Sequence, residues 1–186
     1  MRLHAPPSLL IGLMLLTGCA NDPHVLDAVH AELVSPYQLD SGDQLRVIVF
    51  GQDDLSNTYV VDQAGMISMP LIGAVPARGN TTAGIEAAVG KRLRNGFLRN
   101  PDVSVEVDRY RPFFAMGEVG AAGQYAFLPG MTVQQAIAVA GGFSARADKF
   151  TVTVTRSYGG RVETARLGLS DPVMPGDTLY VRERLI

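Results

Sequence analysis

The sequence predicts an α+β protein built of two small β-rich modules, and three observations carry that prediction. Within residues 36–186, apolar residues recur at helical spacing over Thr82 to Asn95 and over Val133 to Ala140. Around them, short runs alternate apolar and polar residues, as half-buried strands do. With 20 Gly and 11 Pro in 186 residues, those runs are held short, and Asn100-Pro101 and Arg111-Pro112 interrupt the chain between the two halves. A hydrophobic content of 47% can fill a core, while a charged content of 18% is low for a freely soluble domain. The formal net charge of -2 offers no electrostatic footprint for nucleic acid, so a nucleic-acid partner is not expected.

The N-terminus predicts export from the cytoplasm. Arg2 and His4 precede an apolar run, Leu9 to Leu16, that is broken by Gly12 and is far shorter than the ~20 residues needed to span a bilayer. It ends in Leu16-Thr17-Gly18-Cys19, which matches a bacterial lipobox, and Cys19 is the single cysteine. Cys19 is therefore the expected lipidation site; the alternative is a buried free thiol behind an ordinary signal peptide. Residues 1–18 would be the lipoprotein signal peptide and residues 19–35 a lipidated tether, held to the membrane through several acyl chains. Ala20 stands where an Asp would retain such a protein at the inner membrane, so the expected destination is the outer membrane. His24 and His30 have no thiol or second carboxylate in ligand register, and both read as solvated.

The first module, residues 36–110, opens with the turn Leu39-Asp40-Ser41-Gly42-Asp43 and a strand from Gln44 to Phe50. Gly51 to Asp54 is a loop whose adjacent Asp53 and Asp54 point apart. Tyr59-Val60-Val61 is a strand leading into the central stretch. There, Asp62 to Gly65 turns, Met66 to Met69 is a short strand, and Pro70 ends it because it has no N–H to donate. Leu71, Ile72 and Val75, interrupted by Gly73 and Pro76, read as a bent, buried crossing. Thr81 or Thr82 caps the helix running to Asn95, whose apolar face is Ile85, Ala88, Val89 and Leu93. Its basic residues lie at the C-terminal end and Gly96 is the left-handed stop. Val103, Val105 and Val107 face one side of a half-buried strand.

The second module, residues 111–186, starts with a strand over Phe113 to Met116. Gly117, Gly120 and Gly123 are spaced Gly-x-x-Gly-x-x-Gly, which is not the dinucleotide fingerprint, and no helix follows, so no phosphate cradle is expected. Thr132 and Gln135 form a capping box for the helix Val133 to Ala140. Thr151 to Thr155 and Arg161 to Thr164 flank Ser157-Tyr158-Gly159-Gly160 as a hairpin. Met174 to Asp177 turns into the last strand, Thr178 to Arg182. Strands, one short helix and more strands make a β-grasp-like unit.

These residues carry a family resemblance. Tyr37-x-Leu39-x-x-Gly42-Asp43-x-Leu45, Val49-Phe50-Gly51, Asp54-Leu55-Ser56, Val61-Asp62-x-x-Gly65-x-Ile67, Pro70-Leu71-Ile72-Gly73-x-Val75, Gly79-x-Thr81 and Asn100-Pro101-x-Val103 resemble the polysaccharide biosynthesis/export domain. Gly117-Glu118-Val119, Gly123-x-Tyr125, Pro129-Gly130-Met131-Thr132-Val133, Ala136-Ile137 and Ala140 to Phe143 are similar to the soluble-ligand-binding β-grasp (SLBB) module. With the lipobox, the chain resembles the outer-membrane polysaccharide export (OPX) lipoprotein family in a short form with one SLBB module. The resemblance implies a periplasmic homo-oligomeric ring that passes a capsular polysaccharide or exopolysaccharide, coupled to an inner-membrane polysaccharide co-polymerase. The chain stops at Leu185-Ile186 without the C-terminal amphipathic helix of long members, so the polymer is expected to cross the outer membrane through a separate β-barrel protein.

No Gly-x-Ser-x-Gly elbow, metal cluster or triad is present in the sequence, and neither an enzyme nor a cofactor is expected. Two rival readings stand beside this one. A periplasmic glycan-binding lipoprotein would use the SLBB module without forming a conduit. A polymer hydrolase or lyase would need a convergent carboxylate pair, for which Asp53 and Glu118 are the candidates.

Overall fold

The computed structural model describes residues 36–158 and 161–184. Cys19, His24, His30, the signal sequence and the tether lie outside the described residues, as do Gly159 and Gly160 of the hairpin turn. The described residues from Tyr37 onward form one compact unit.

The first module begins with Leu39, buried against the sheet, and a turn in which Gly42 takes φ +97°, a conformation open to glycine at no steric cost. That turn launches β1 (Gln44–Val49), whose Leu45, Val47 and Val49 are buried while Arg46 and Ile48 face outward. β1 is the centre of a three-stranded antiparallel sheet between β2 (Asn57–Val60) and β5 (Val103–Arg109). Alternation along β5 keeps Val105 inside.

β3 (Met66–Met69) ends at Pro70 as expected, but the segment after it does not cross the core. Leu71, Ile72 and Val75 belong instead to a hairpin: β4 (Gly73–Pro76) folds back on β3, pairing Ile67 with Val75. The Ile72 N–H bonds the Pro70 carbonyl at 2.8 Å, and Leu71 sits at φ +67° with its side chain 60% exposed. This is a three-residue γ-turn of the strained, positive-φ kind. A sequence reading takes Gly73 and Pro76 as breaks in a strand, whereas here Gly73 closes the tight turn and Pro76 sits at the open end of a two-stranded ribbon. The Arg92 guanidinium caps the turn by donating to the Ala74 carbonyl and, at 3.4 Å, to the Ile72 carbonyl.

α1 (Thr82–Arg94) is capped by the Thr81 hydroxyl, which accepts the Gly84 N–H at 3.2 Å. It buries Ile85, Val89 and Leu93 under the sheet, and Lys91, Arg92 and Arg94 occupy its last turn, where the dipole favours cations. Glu86 turns toward the sheet edge and accepts the Val105 N–H at 2.9 Å, occupying a donor that β5 would otherwise present to solvent. Gly96, at φ +102°, ends the helix.

The second module is a five-stranded mixed sheet in the order β7-β6-β10-β8-β9. Its strands are β6 (Phe113–Gly117), β7 (Gly123–Tyr125), β8 (Thr151–Tyr158), β9 (Arg161–Gly168) and β10 (Thr178–Val181). β10 runs parallel to β6 and antiparallel to β8. α2 (Val133–Val139) packs Val133, Ala136 and Ile137 against Phe113, Ala115, Val152, Val154, Leu179 and Val181. Its capping box is complete, with Thr132 and Gln135 each bonding the other's backbone N–H. The hairpin strands extend beyond the expected 151–155 and 161–164, pairing from Thr151–Gly168 to Tyr158–Arg161. β7, three residues long, lies in the stretch that the sequence reads as glycine-rich loop.

Candidate functional site

Chemically capable side chains gather at the junction between the modules and in a groove at one end of the second sheet. The junction is organised by Arg111, the first residue after β5 and Tyr110. Its N–H donates to Asp43 Oδ1 at 3.0 Å, its Nη1 pairs with Asp40 Oδ2 at 2.6 Å, and its Nε donates to the Pro175 carbonyl at 2.9 Å. The Gly176 N–H returns a bond to the Pro112 carbonyl at 3.1 Å. Rings line the same seam: Tyr37 stands edge-on to Tyr110 at 5.1 Å, and Tyr110 to Phe127 at 5.5 Å. Such edge contacts each add to simple burial, so the seam is packed as well as hydrogen-bonded.

Two aspartates are fully buried. Asp43 accepts the Tyr37 hydroxyl and the Asp40 N–H, both at 2.8 Å on Oδ2, besides the Arg111 N–H on Oδ1. Asp177 takes a two-pronged guanidinium, Arg156 Nε and Nη2 at 2.8 and 2.9 Å, and the Met174 N–H at 2.8 Å. Burial and the neighbouring Asp43 carboxylate push the Tyr37 phenol well above its usual range. Asp40 is opposed by burial, which would raise it, but the Ser41 N–H and the guanidinium groups of Arg78 and Arg111 win and hold its carboxyl below the usual range. These groups are spent on structure: each buried oxygen has a donor, and no buried side-chain polar atom among the described residues lacks a partner.

Asp53 and Glu118 do not form a catalytic pair. Asp53 sits on the exposed loop after β1, in the first module. Glu118 lies at the end of β6 in the second, where it accepts the Ser144 hydroxyl and pairs with Arg146 at 3.2 Å. The Ser144 hydrogen bond, with help from Arg146, depresses the Glu118 carboxyl, which suits an anionic acceptor and not a proton donor. The glycine-spaced segment packs backbone on backbone. A Cβ at Gly120 would lie 2.4 Å from the Gly141 carbonyl oxygen, and the N–H groups of Gly120 and Ala121 are bound by the Gly142 and Ala140 carbonyls at 2.8 and 2.7 Å. Those amides are not free to receive a phosphate. Among the described residues, no group of three or more His, Cys, Asp or Glu is placed to hold a metal ion.

The second place is a groove of about 560 Å³ lined by Asp148, Phe150, Arg166, Arg182, Glu183 and Arg184. Residues 146–148 zip against residues 182–184: the Asp148 N–H bonds the Arg182 carbonyl at 2.8 Å and the Arg184 N–H bonds the Arg146 carbonyl at 2.9 Å. Asp148 then turns the chain, accepting the Phe150 N–H at 2.9 Å and the Thr151 hydroxyl at 3.2 Å, which hold its carboxyl below the usual range. The turn leaves Phe150 85% exposed. Sequence reading passed over this groove because its residues come from three separated segments, each resembling an ordinary charged surface. The buried aspartates did leave a sequence signal, since Gly42-Asp43-x-Leu45-x-Val47 recurs as Gly176-Asp177-x-Leu179-x-Val181.

Comparison with known proteins places both modules. Residues 31–108 match the family model "Polysaccharide biosynthesis/export protein", and residues 116–166 match the SLBB domain. The chain is 36% identical over 96 residues to the exopolysaccharide production protein ExoF of Rhizobium meliloti (strain 1021). That match takes in 50% of this chain and 23% of the relative, so it spans about a quarter of the relative's length.

Proposed function

Because the chain belongs to the polysaccharide biosynthesis/export family, with one export domain followed by one SLBB domain, we propose that it is a lipid-anchored component of an exopolysaccharide or capsular polysaccharide export channel. Proteins of these families are transport components and not enzymes. In this reading residues 1–18 are the signal peptide, Cys19 is acylated, and residues 19–35 tether the export domain (36–110) and the SLBB domain (111–186) to the periplasmic side of the outer membrane. The protein assembles as a homo-oligomeric ring, receives polymer from an inner-membrane co-polymerase and docks under a separate outer-membrane β-barrel.

The observation that carries the proposal is the order of the two domains within a single compact unit. Arg111 and the aromatic seam join them, so a ring built on either domain would carry the other with it. The exopolysaccharide production role in the relative's name supports the polymer class. No helix among the described residues is long and apolar enough to cross a membrane, so those residues supply no spanning helix for the polymer's passage.

Deleting the gene is expected to stop surface polysaccharide, and the wild-type chain to restore it. Cys19→Ser is expected to leave soluble or uncleaved precursor and to restore little. Normal export from a Cys19→Ser strain, with the protein still in the outer-membrane fraction, would overturn the anchoring. The ring is tested by native mass spectrometry of the lipidated protein in detergent, where monomer alone across micromolar concentrations argues for a binding lipoprotein without a conduit. An epitope placed after Ile186 should stay hidden in intact cells; surface labelling would place the C-terminus outside and remove the need for a barrel partner.

A further inference from the structure

We propose that the groove between Phe150 and the arginines 166, 182 and 184 binds an acidic sugar residue, with the sugar face on the Phe150 ring and its carboxylate on the guanidinium groups. The inference deepens the export reading and rests on it for the choice of a glycan as ligand.

The argument starts from charge. Three arginines and two acidic residues line the groove. Asp148 uses both oxygens to hold its own turn, and Glu183 pairs with Arg146 at 3.5 Å. Arg182 lies near enough to Asp148 to depress its carboxyl, whereas Arg166 and Arg184 have no carboxylate within ion-pair distance among the described residues. The groove therefore carries an uncompensated positive surplus, with forks shaped for two-pronged binding of an oxyanion.

The second observation is Phe150. A large aromatic residue at 85% exposure gives up most of its burial energy, yet the Asp148 bonds to Phe150 N–H and to the Thr151 hydroxyl hold its backbone in place. An aromatic face beside hydrogen-bond donors suits a ligand that is apolar on one side and polar at its rim, which describes a pyranose ring. An isolated phosphate would use the arginines and leave the ring idle. A neutral sugar would use the ring and leave the surplus charge idle. A uronate uses both. The volume lies within the range of roughly 300–1,000 Å³ common to small-ligand sites. The backbone under the site is hydrogen-bonded: Arg182 and Arg184 are alternate residues of a segment zipped to residues 146–148, and Arg166 stands on β9 opposite Thr153.

Titration calorimetry of the full lipidated chain in detergent tests this, using a β-1,4-glucuronan hexasaccharide and cellohexaose, which lacks the carboxylates. The acidic oligomer is expected to bind about tenfold tighter or better, the worth of one charge-assisted contact, and to weaken as salt rises. Arg166→Ala with Arg184→Ala should cost about tenfold, and Phe150→Ala roughly threefold to tenfold, with the thermal midpoint unchanged because these side chains are exposed. Equal affinity for the two oligomers, or variants that bind like wild type, would overturn the proposal. So would a silent Phe150→Ala combined with full displacement by inorganic phosphate, which would make the groove an anion patch only. Surface polysaccharide in the deletion strain reports on the export role separately, so the groove can fail while that role stands.

Discussion

Two turns of this chain share a sequence and a geometry and differ in how each compensates a buried charge. Ser41-Gly42-Asp43-Gln44-Leu45-Arg46-Val47 and Pro175-Gly176-Asp177-Thr178-Leu179-Tyr180-Val181 both place glycine at positive φ, +97° and +85°. Each Asp accepts the N–H three residues back, at 2.8 Å in both. Each then launches the strand whose Leu and Val sit at the centre of its module, β1 between β2 and β5, β10 between β6 and β8. Asp177 is neutralised within its own module by the Arg156 fork from β8. Asp43 accepts only neutral donors, and one of them, the Arg111 N–H, arrives from the segment that joins the modules. The first arrangement stabilises a sheet. The second makes a buried carboxylate depend on the modules being docked.

The largest way to break the comparison is Asp177→Ala. It leaves a guanidinium whose side chain is 21% exposed without its carboxylate, and breaking such a pair costs about 3–5 kcal/mol. Urea unfolding should show that loss, and a cost under about 1 kcal/mol would mean that Arg156 finds other compensation. Asp43→Ala should cost less, about 2–3 kcal/mol, because it orphans neutral donors and no charge. Its specific mark is faster amide exchange at Arg111; an unchanged Arg111 amide would detach Asp43 from the docking of the modules.

The glycines sharpen the same contrast. Any side chain at either position pays roughly 1–2 kcal/mol for positive φ. At Gly42 the nearest atom to an added Cβ is Arg111 Cβ at 3.6 Å, while at Gly176 it is Arg111 Nε at 2.8 Å. Gly176→Ala should therefore exceed Gly42→Ala by about 1 kcal/mol, because it also dislodges the bond to the Pro175 carbonyl. Equal losses would show that Arg111 swings clear at no cost.

The smallest effect is on pH. The Asp40 carboxyl is lower in the folded chain, so its contribution is present above about pH 4, the ordinary carboxylate value, and is lost as pH falls through the depressed one. The phenols of Tyr37, Tyr59 and Tyr110 are raised, chiefly by burial, so their contributions hold below about pH 10 and fade as pH rises past it. Thermal midpoints against pH should fall at both ends, and Tyr37→Phe should soften the alkaline fall. A pH-independent midpoint up to strong alkali would remove Tyr37 from the seam's energetics.

Much of the fold was legible because it is local. The period of Ile85, Val89 and Leu93 announces α1, Thr132 and Gln135 announce α2, and the alternation of Val103, Val105 and Val107 announces β5. The hairpin of β3 and β4 was misread because Leu71, an exposed apolar residue at positive φ, breaks the rule that such turns take glycine. Of the site, the charged residues of the groove were visible only as scattered Arg, Asp and Glu.

By itself the sequence determined the helix caps and the two Gly-Asp turns, since each rests on contacts between residues a few positions apart, and its hydrophobic patterning and motifs determined the two modules and their order. The parallel pairing of β10 with β6, the fork of Arg156 on Asp177, the Arg111 seam and the groove of Phe150 with Arg166 and Arg184 were decided by tertiary structure alone. Their partners are separated by tens of residues, and which distant segments meet depends on how the buried faces of Leu45 and Val47, and of Leu179 and Val181, find sheets to fill.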